Sequence, residues 1–249
     1  MLDSLFEKFE RIVVLDTETT GIDCKKDEII AFGRDVFCHA ELGFKEQRTS
    51  GKFVEEMEKP GGIESEMDVF IRLSEGRTLP SMITQLTGIT PEMLTQQGVE
   101  KWEAAAQFAA AISHPNTLIV AYNAQFDLCF LYYFLARLEL ADALKGVKML
   151  DAMTVYKDRR QYPHKLQSAI DAYGVTTQNT HRAVDDAKAA LEVLDAMARE
   201  EDDLLRYVNL FGYNPKYGVS GPRISSITYL PQGRFTGEKL YHQKAPALL

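Results

Sequence analysis

Cysteine is scarce in this sequence: Cys24, Cys38 and Cys129 are the only three in 249 residues. An odd count without metal-type spacing speaks against a disulfide framework or a zinc site, so buried or incidental thiols are expected. Any long apolar run is missing too. The amino-terminal stretch MLDSLFEKFERIVVLD is broken by Asp3, Glu7, Lys8, Glu10 and Arg11, which fits neither a signal-peptide core nor a membrane span. A cytoplasmic location without membrane association is expected. Internal repeats and low-complexity tracts are also absent.

Positive charge is in short supply, with 28 Lys and Arg against 36 Asp and Glu and a net charge of −8. Non-specific affinity for nucleic acid comes largely from basic side chains neutralising phosphates, so the sign disfavours a general polyanion binder. It does not exclude an enzyme that grips a chain end, where bound cations meet the phosphate and their acidic ligands make the total negative. The charge is also uneven: residues 1–210 carry 23 basic and 35 acidic side chains, residues 211–249 five and one.

What is present suits one substantial core, since 45% of the residues are hydrophobic. Strands are expected at Arg11–Asp16, Glu28–Phe37, Met67–Leu73, residues 117–123 and Lys148–Asp151. In LPSMITQLTGITPEML, Gly88 closes one short helix, and Thr90 with Pro91 opens the next. Further helices are expected at Lys101–Ile112, Ala124–Glu139, after Asp151, at 166–175 with Gly174 as its stop, and from Ala183 to about Val208 with a break near Glu200–Asp203. Strands that then alternate with helices indicate an α/β domain with helices on both faces of one mixed sheet. Residues 39–66, with the KPGG turn, read as an insertion. From Phe211 the composition turns to Gly, Pro, Tyr and basic residues, so a domain over 1–210 and a C-terminal tail over 211–249 are expected.

Three short segments carry chemistry. Asp16 and Glu18 close the first strand in LDTETTG, and the two-residue period of a strand turns both carboxylates to one face. Adjacent like charges raise each other's pKa, a conflict that a divalent cation removes; an isolated DxE is otherwise a solvated strand end. In YNAQFD, residues 122–127, a strand gives way to a helix, with Asn123 placed to cap it. Asp127 falls in its first turn, where the helix dipole also favours a carboxylate. In HRAVDDAKAA, residues 181–190, His181 precedes a helix and Asp186 lies one turn inside, so both face one cleft. Asp185 points about 100° away and is read as solvated.

Together, LDTETTGID, LTGITPEML, AYNAQFD and HRAVDDAKAALEVL resemble the signature segments of the DEDD exonucleases with a catalytic histidine. This is the DnaQ-like group of the ribonuclease H-like superfamily and, within it, the proofreading epsilon subunits of bacterial replicative polymerases. The resemblance runs over roughly residues 10–200 with every acidic position intact. It implies a ribonuclease H-like fold and 3′→5′ exonuclease activity on single-stranded nucleic acid, DNA favoured. It further implies two ions, Mg²⁺ or Mn²⁺, which hard carboxylate oxygens suit. Asp16 would bridge both, Glu18 and Asp186 would hold the ion nearer the nucleophile, and Asp127 would support the other, partly through water. His181 is the implied general base, a task matched to imidazole at neutral pH. Implied substrate contacts are Thr19, Thr20 and Gly21 after the first acidic pair, and Leu86, Thr87 and Ile89, which line the pocket for the 3′-terminal base. Asn123 and Phe126 beside Asp127 complete them. Each also has a plainer reading as turn, cap, helix packing or core aromatic.

The chain departs from the family pattern after the second strand, where DEIIAFGRDVF leads into the 39–66 insertion at one side of the substrate channel. The basic run KDRRQYPHK, residues 157–165, lies near the entering strand or forms a solvated face. The tail, with Phe211, Tyr213, Tyr217, Tyr229, Phe235 and Tyr241 among Lys216, Arg223, Arg234, Lys239 and Lys244, suits bases and phosphates, a DNA polymerase or other protein partner, or packing on the domain. The rival readings are a proofreading subunit, an RNA-trimming exoribonuclease and a catalytically silent binding module; the intact acidic set disfavours the last.

Overall fold

The computed structural model describes residues 2–38, 63–177 and 179–243. Its centre is a five-stranded sheet in the order β3-β2-β1-β4-β5. These strands are β1 (Arg11–Thr19), β2 (Ile29–Cys38), β3 (Ile63–Phe70), β4 (Thr117–Ala121) and β5 (Lys148–Asp151). β2 runs antiparallel to both β1 and β3, while β1, β4 and β5 are parallel. The mixed sheet follows from connection length: β1 and β2 are joined by a short loop, whereas β1 reaches β4 only through helices. The parallel strand β4, TLIVA, is buried at every position, as a strand covered on both faces requires.

One face carries α6 (Ala152–Lys157), α7 (Leu166–Tyr173) and α8 (Ala183–Glu200), whose apolar residues share a core with Ile12 and Val14 of β1. On the other face lie α4 (Lys101–Ile112) and α5 (Ala124–Ala136), packed on Leu15, Phe32 and Ile119. The short helices α2 (Ser81–Thr87) and α3 (Pro91–Gln97) cover Ile30 and Ala31 at the start of β2. α1 (Asp3–Phe6) buries Leu5. α5 is apolar around its whole circumference, AQFDLCFLYYFLA, because it lies between the sheet and the C-terminal segment.

Differences from the sequence reading have local causes. β1 extends three residues past Asp16, because the β1–β2 register continues to Thr19↔Ile29. Residues 63–66, read as the end of the insertion, belong to β3 and pair with β2; residues 39–62 lie outside the described residues. Cys24 and Cys129 are joined in a disulfide with Cα atoms 5.9 Å apart, contrary to the expectation of unpaired thiols. Their separation of 105 residues hides the pairing from any spacing argument; the fold brings the β1–β2 loop against α5. The C-terminal segment forms a two-stranded parallel sheet, β6 (Leu210–Tyr213) and β7 (Thr228–Pro231). Its Phe211, Ile224 and Tyr229 are buried in one main core and its Leu230 and Leu240 in the other. Among the described residues no helix is long and apolar enough to cross a membrane.

Candidate active site

The end of β1 alternates as strand geometry demands: Thr17 and Thr19 are buried, while Asp16 and Glu18 turn together toward a cleft. Asp186 arrives there from the first turn of α8. Its approach depends on Gly33, the β2 residue that pairs with Asp16. A Cβ at Gly33 would lie 2.2 Å from the backbone nitrogen of Val184, so only glycine lets the start of α8 settle onto the sheet. Ion pairs from Arg182 to Asp68 (2.6 Å) and from Lys188 to Glu66 (2.7 Å) moor the same end of the helix to β3. As a result, carboxylate oxygens of Asp16, Glu18 and Asp186 lie within 4.8 Å of one another.

Asp127 comes from the other face of the sheet, in the first turn of α5, and stands outside that tight group. Its buried carboxylate accepts a 2.7 Å hydrogen bond from Thr17 Oγ1. Its charge is nevertheless felt: burial together with Asp127, Glu18 and Asp186 pushes Asp16 far above the usual carboxylate range. Burial, then Asp186 and Asp127, raises Glu18 to about 8. Asp127 itself is raised to about 7, mainly by burial and against the Thr17 hydrogen bond. Burial raises Asp186 to about 6, opposed by the backbone N–H of Thr180. Four carboxylates crowded in this way need protons or cations, and hard oxygen donors at such spacing fit a divalent ion.

His181, two residues before α8, is exposed and has a left-handed backbone (φ 56°). Its backbone N–H donates to Asn179 Oδ1 at 3.2 Å, and its charge lowers the pKa of Asp186. Asp185 accepts from Thr180 Oγ1 at 2.7 Å, away from the cluster.

The other residues singled out in the sequence divide. Thr19 donates to the Gly21 carbonyl and Thr20 to Asp27, while a Cβ on Gly21 would strike the Asp27 carboxylate at 2.4 Å; these three build the β1–β2 turn. Thr87 donates to the Ile83 carbonyl, and Ile89 is buried against Ile30 and Leu94. Leu86, half exposed, is the member of that segment facing solvent. Asn123 occupies the N-cap position of α5, but its left-handed backbone (φ 67°) leaves its side chain without a cap hydrogen bond. That corrects the expected capping role and frees the exposed amide to line a groove with Phe126.

Two residues escaped the sequence reading. Asp151, buried at the end of β5, accepts from the backbone N–H groups of Asn123 (2.9 Å), Ala124 (3.1 Å) and Met153 (3.1 Å) and from Thr154 Oγ1 (2.6 Å). It holds the turn that delivers Asp127. An aspartate between a strand and a helix in MLDAMT is a visible N-cap signal, whereas its grip on α5 is not. Thr17, the partner of Asp127, carries no local signal beyond strand alternation.

A family model described as exonuclease, RNase_T, matches residues 13–194. The PolC-type DNA polymerase III of Clostridium perfringens is 30% identical over 212 residues, covering 84% of this chain and 12% of that one. The DNA polymerase III subunit epsilon of Treponema pallidum is 27% identical over 202 residues, covering 78% of this chain and 80% of its own length. Among solved structures, the exonuclease I–single-stranded DNA complex of E. coli superposes with a TM-score of 0.65 over 80% of this chain and 42% of that one, at 16% identity. That likeness supports the ribonuclease H-like fold.

Proposed function

This chain belongs to the RNase_T exonuclease family, and from that premise we propose that it removes nucleotides from the 3′ end of single-stranded nucleic acid, DNA favoured. The observation that carries the reading is the convergence of Asp16, Glu18 and Asp186 within 4.8 Å, from a strand and a helix far apart in sequence. Asp16, Glu18, Asp127 and Asp186 would hold two divalent ions, Mg²⁺ or Mn²⁺. When bound, such ions neutralise the phosphoryl oxygens and the departing oxygen. His181, exposed just before α8, takes a proton from the attacking water. The bond to the 3′-oxygen of the penultimate nucleotide breaks, that oxygen is protonated from solvent, and a nucleoside 5′-monophosphate leaves. Leu86, exposed on its helix, would meet the terminal base, and Asn123 and Phe126 the nucleotides behind it.

The polymerase III relatives favour a second, compatible reading, in which the chain proofreads in company with a polymerase. A stable complex with a replicative polymerase, and faster removal of a mismatched than of a matched 3′ end within it, would support that role.

The test of the activity is degradation of matched 3′- and 5′-labelled single-stranded DNA and RNA by the wild type and Asp16→Ala, with Mg²⁺, Mn²⁺ or EDTA. Stepwise loss from the 3′ end that requires metal and vanishes in the variant is expected. Equal activity in Asp16→Ala would sink the assignment.

A further inference from the structure

A groove of ≈ 820 Å³ opens at Phe126, next to Asp127, between the start of α5, the β1–β2 loop and residues 212–222. A second hollow of ≈ 630 Å³, between residues 157–164 and 232–235, shares Lys157 and Asn214 with it. The two meet in one trough, which passes Asn123 and Phe126 at the helix start that carries Asp127. Its outer wall is the C-terminal segment, beyond the residues 13–194 that the family shares.

The lining of the trough mixes Asp23 with Lys25, Lys157 and Arg234, and four rings stand out beside Phe130, Tyr133 and Tyr213. Phe126 and Tyr217 lie in the first stretch, and Tyr162 and Phe235 in the second. Tyr217 and Tyr162 are 73% and 83% exposed, although large aromatic side chains usually find cover. Lys157 stands at the junction with no ion pair among the described residues, and burial lowers its pKa against the pull of the Asp151 carboxylate, a penalty that a further anion would relieve. Arg159 and Arg160 of the same basic run are held by Asp203 and Glu200, so Lys157 is the cation that this run offers the trough, beside Gln161, Tyr162 and His164.

The outer wall is fixed in place. Gln125 Nε2 donates to the Gly212 carbonyl at 2.9 Å, and Gln232 Nε2 to Asp158 at 2.7 Å. Gly221, with φ +74°, approaches the disulfide so closely that a Cβ would lie 2.3 Å from Cys129 Sγ.

We infer that this trough binds the upstream nucleotides of the single strand whose 3′ end lies at the carboxylates, with the four rings stacking bases and Lys157 meeting a phosphate. Spaced rings with an unpaired cation suit an unstacked polynucleotide, because every base has a face to stack while the backbone needs only charge. The direction of the strand rests on the exonuclease reading; the existence of the trough does not.

The test is binding of 5′-labelled dT3 and dT12 in EDTA, where no turnover occurs, to the wild type, to Tyr162→Ala/Tyr217→Ala and to Lys157→Ala. Hydrolysis of dT3 with Mn²⁺ is measured alongside. The wild type should bind dT12 at least about tenfold more tightly than dT3, with each ring contributing roughly fivefold or more. The double variant should lose most of that preference for dT12, with Phe126, Phe235 and Lys157 carrying the remainder. Lys157→Ala should lower the salt slope of dT12 binding by about 0.7, and all variants should cleave dT3 like the wild type. Equal wild-type affinity for the two lengths, or a preference for dT12 undiminished in the double variant, would overturn the trough. Metal-dependent hydrolysis of dT3 without length dependence leaves the exonuclease reading standing while the trough falls. Length-dependent binding diminished in the variants, with no hydrolysis of dT3, supports the trough and counts against the exonuclease reading.

Discussion

Crowding makes the carboxylates of the cleft hold their protons to unusually high pH, Glu18 to about 8 and Asp186 to about 6. The consequence for stability has a definite sign. Carboxyl groups raised in the folded state bind protons that the unfolded chain has already lost, so their contribution is complete below about pH 4 and disappears as pH rises through 8. The melting temperature of the metal-free protein should therefore fall between pH 5 and 8. Mg²⁺ or Mn²⁺ at pH 8 should restore several degrees, since an ion at a hundredfold its Kd contributes about 2.7 kcal/mol. Thermal unfolding of the wild type and Glu18→Gln with and without metal checks this: the variant should show a shallower pH slope and a smaller response to metal. Asp151 acts at the same scale through geometry. Asp151→Ala leaves one buried and two partly buried backbone donors without their acceptor, a loss of roughly 2 kcal/mol or more. Urea unfolding measures it, and Asp151→Asn, which keeps an acceptor oxygen, should recover part.

Whole elements bring these residues together, and the contact of α8 with β2 is the most exacting. Gly33→Ala places a methyl group 2.2 Å from the Val184 nitrogen, so α8 must retreat and carry Asp186 away from Asp16 and Glu18. The Mg²⁺ concentration for half-maximal cleavage should rise at least about tenfold, and turnover should fall by up to about a hundredfold, as ångström-scale misplacement of a reacting group implies. An unchanged metal requirement would mean that the helix start does not set the site. Arg182→Ala, by contrast, removes a largely exposed ion pair and should change stability by less than about 1 kcal/mol. Much at this scale was legible beforehand. Thr90 accepts from the Met93 N–H, and Gly88 and Gly174 end their helices with φ of 72° and 62°, because caps are local chemistry. The cap at Asn123 was misread because the real acceptor, Asp151, is supplied by a neighbouring strand.

At the scale of the molecule, the C-terminal segment reads as a separate electrostatic object but is built into both main cores. Deleting residues 211–249 would take Phe211, Tyr229, Leu230 and Leu240 out of the two main cores and uncover the apolar residues they pack on. At about 1.5–3 kcal/mol for each large apolar side chain, that rivals the 5–15 kcal/mol total stability of an ordinary domain. The shortened chain should lose its cooperative thermal transition by circular dichroism; a transition within a few degrees of the full chain would show that the segment only rests on the domain. The sequence by itself determined the α/β class, the order of elements in the sheet-forming region and the identity of the acidic residues. Strand alternation, helix caps and carboxylate chemistry are written in neighbouring residues. Only the tertiary structure decided that Asp186 closes on Asp16 over Gly33, that Asp151 and Thr17 steer Asp127, and that Cys24 meets Cys129. It alone turned the tail into a wall of the trough, because such contacts join residues dozens to more than a hundred positions apart, and close packing, which no local pattern encodes, selects them.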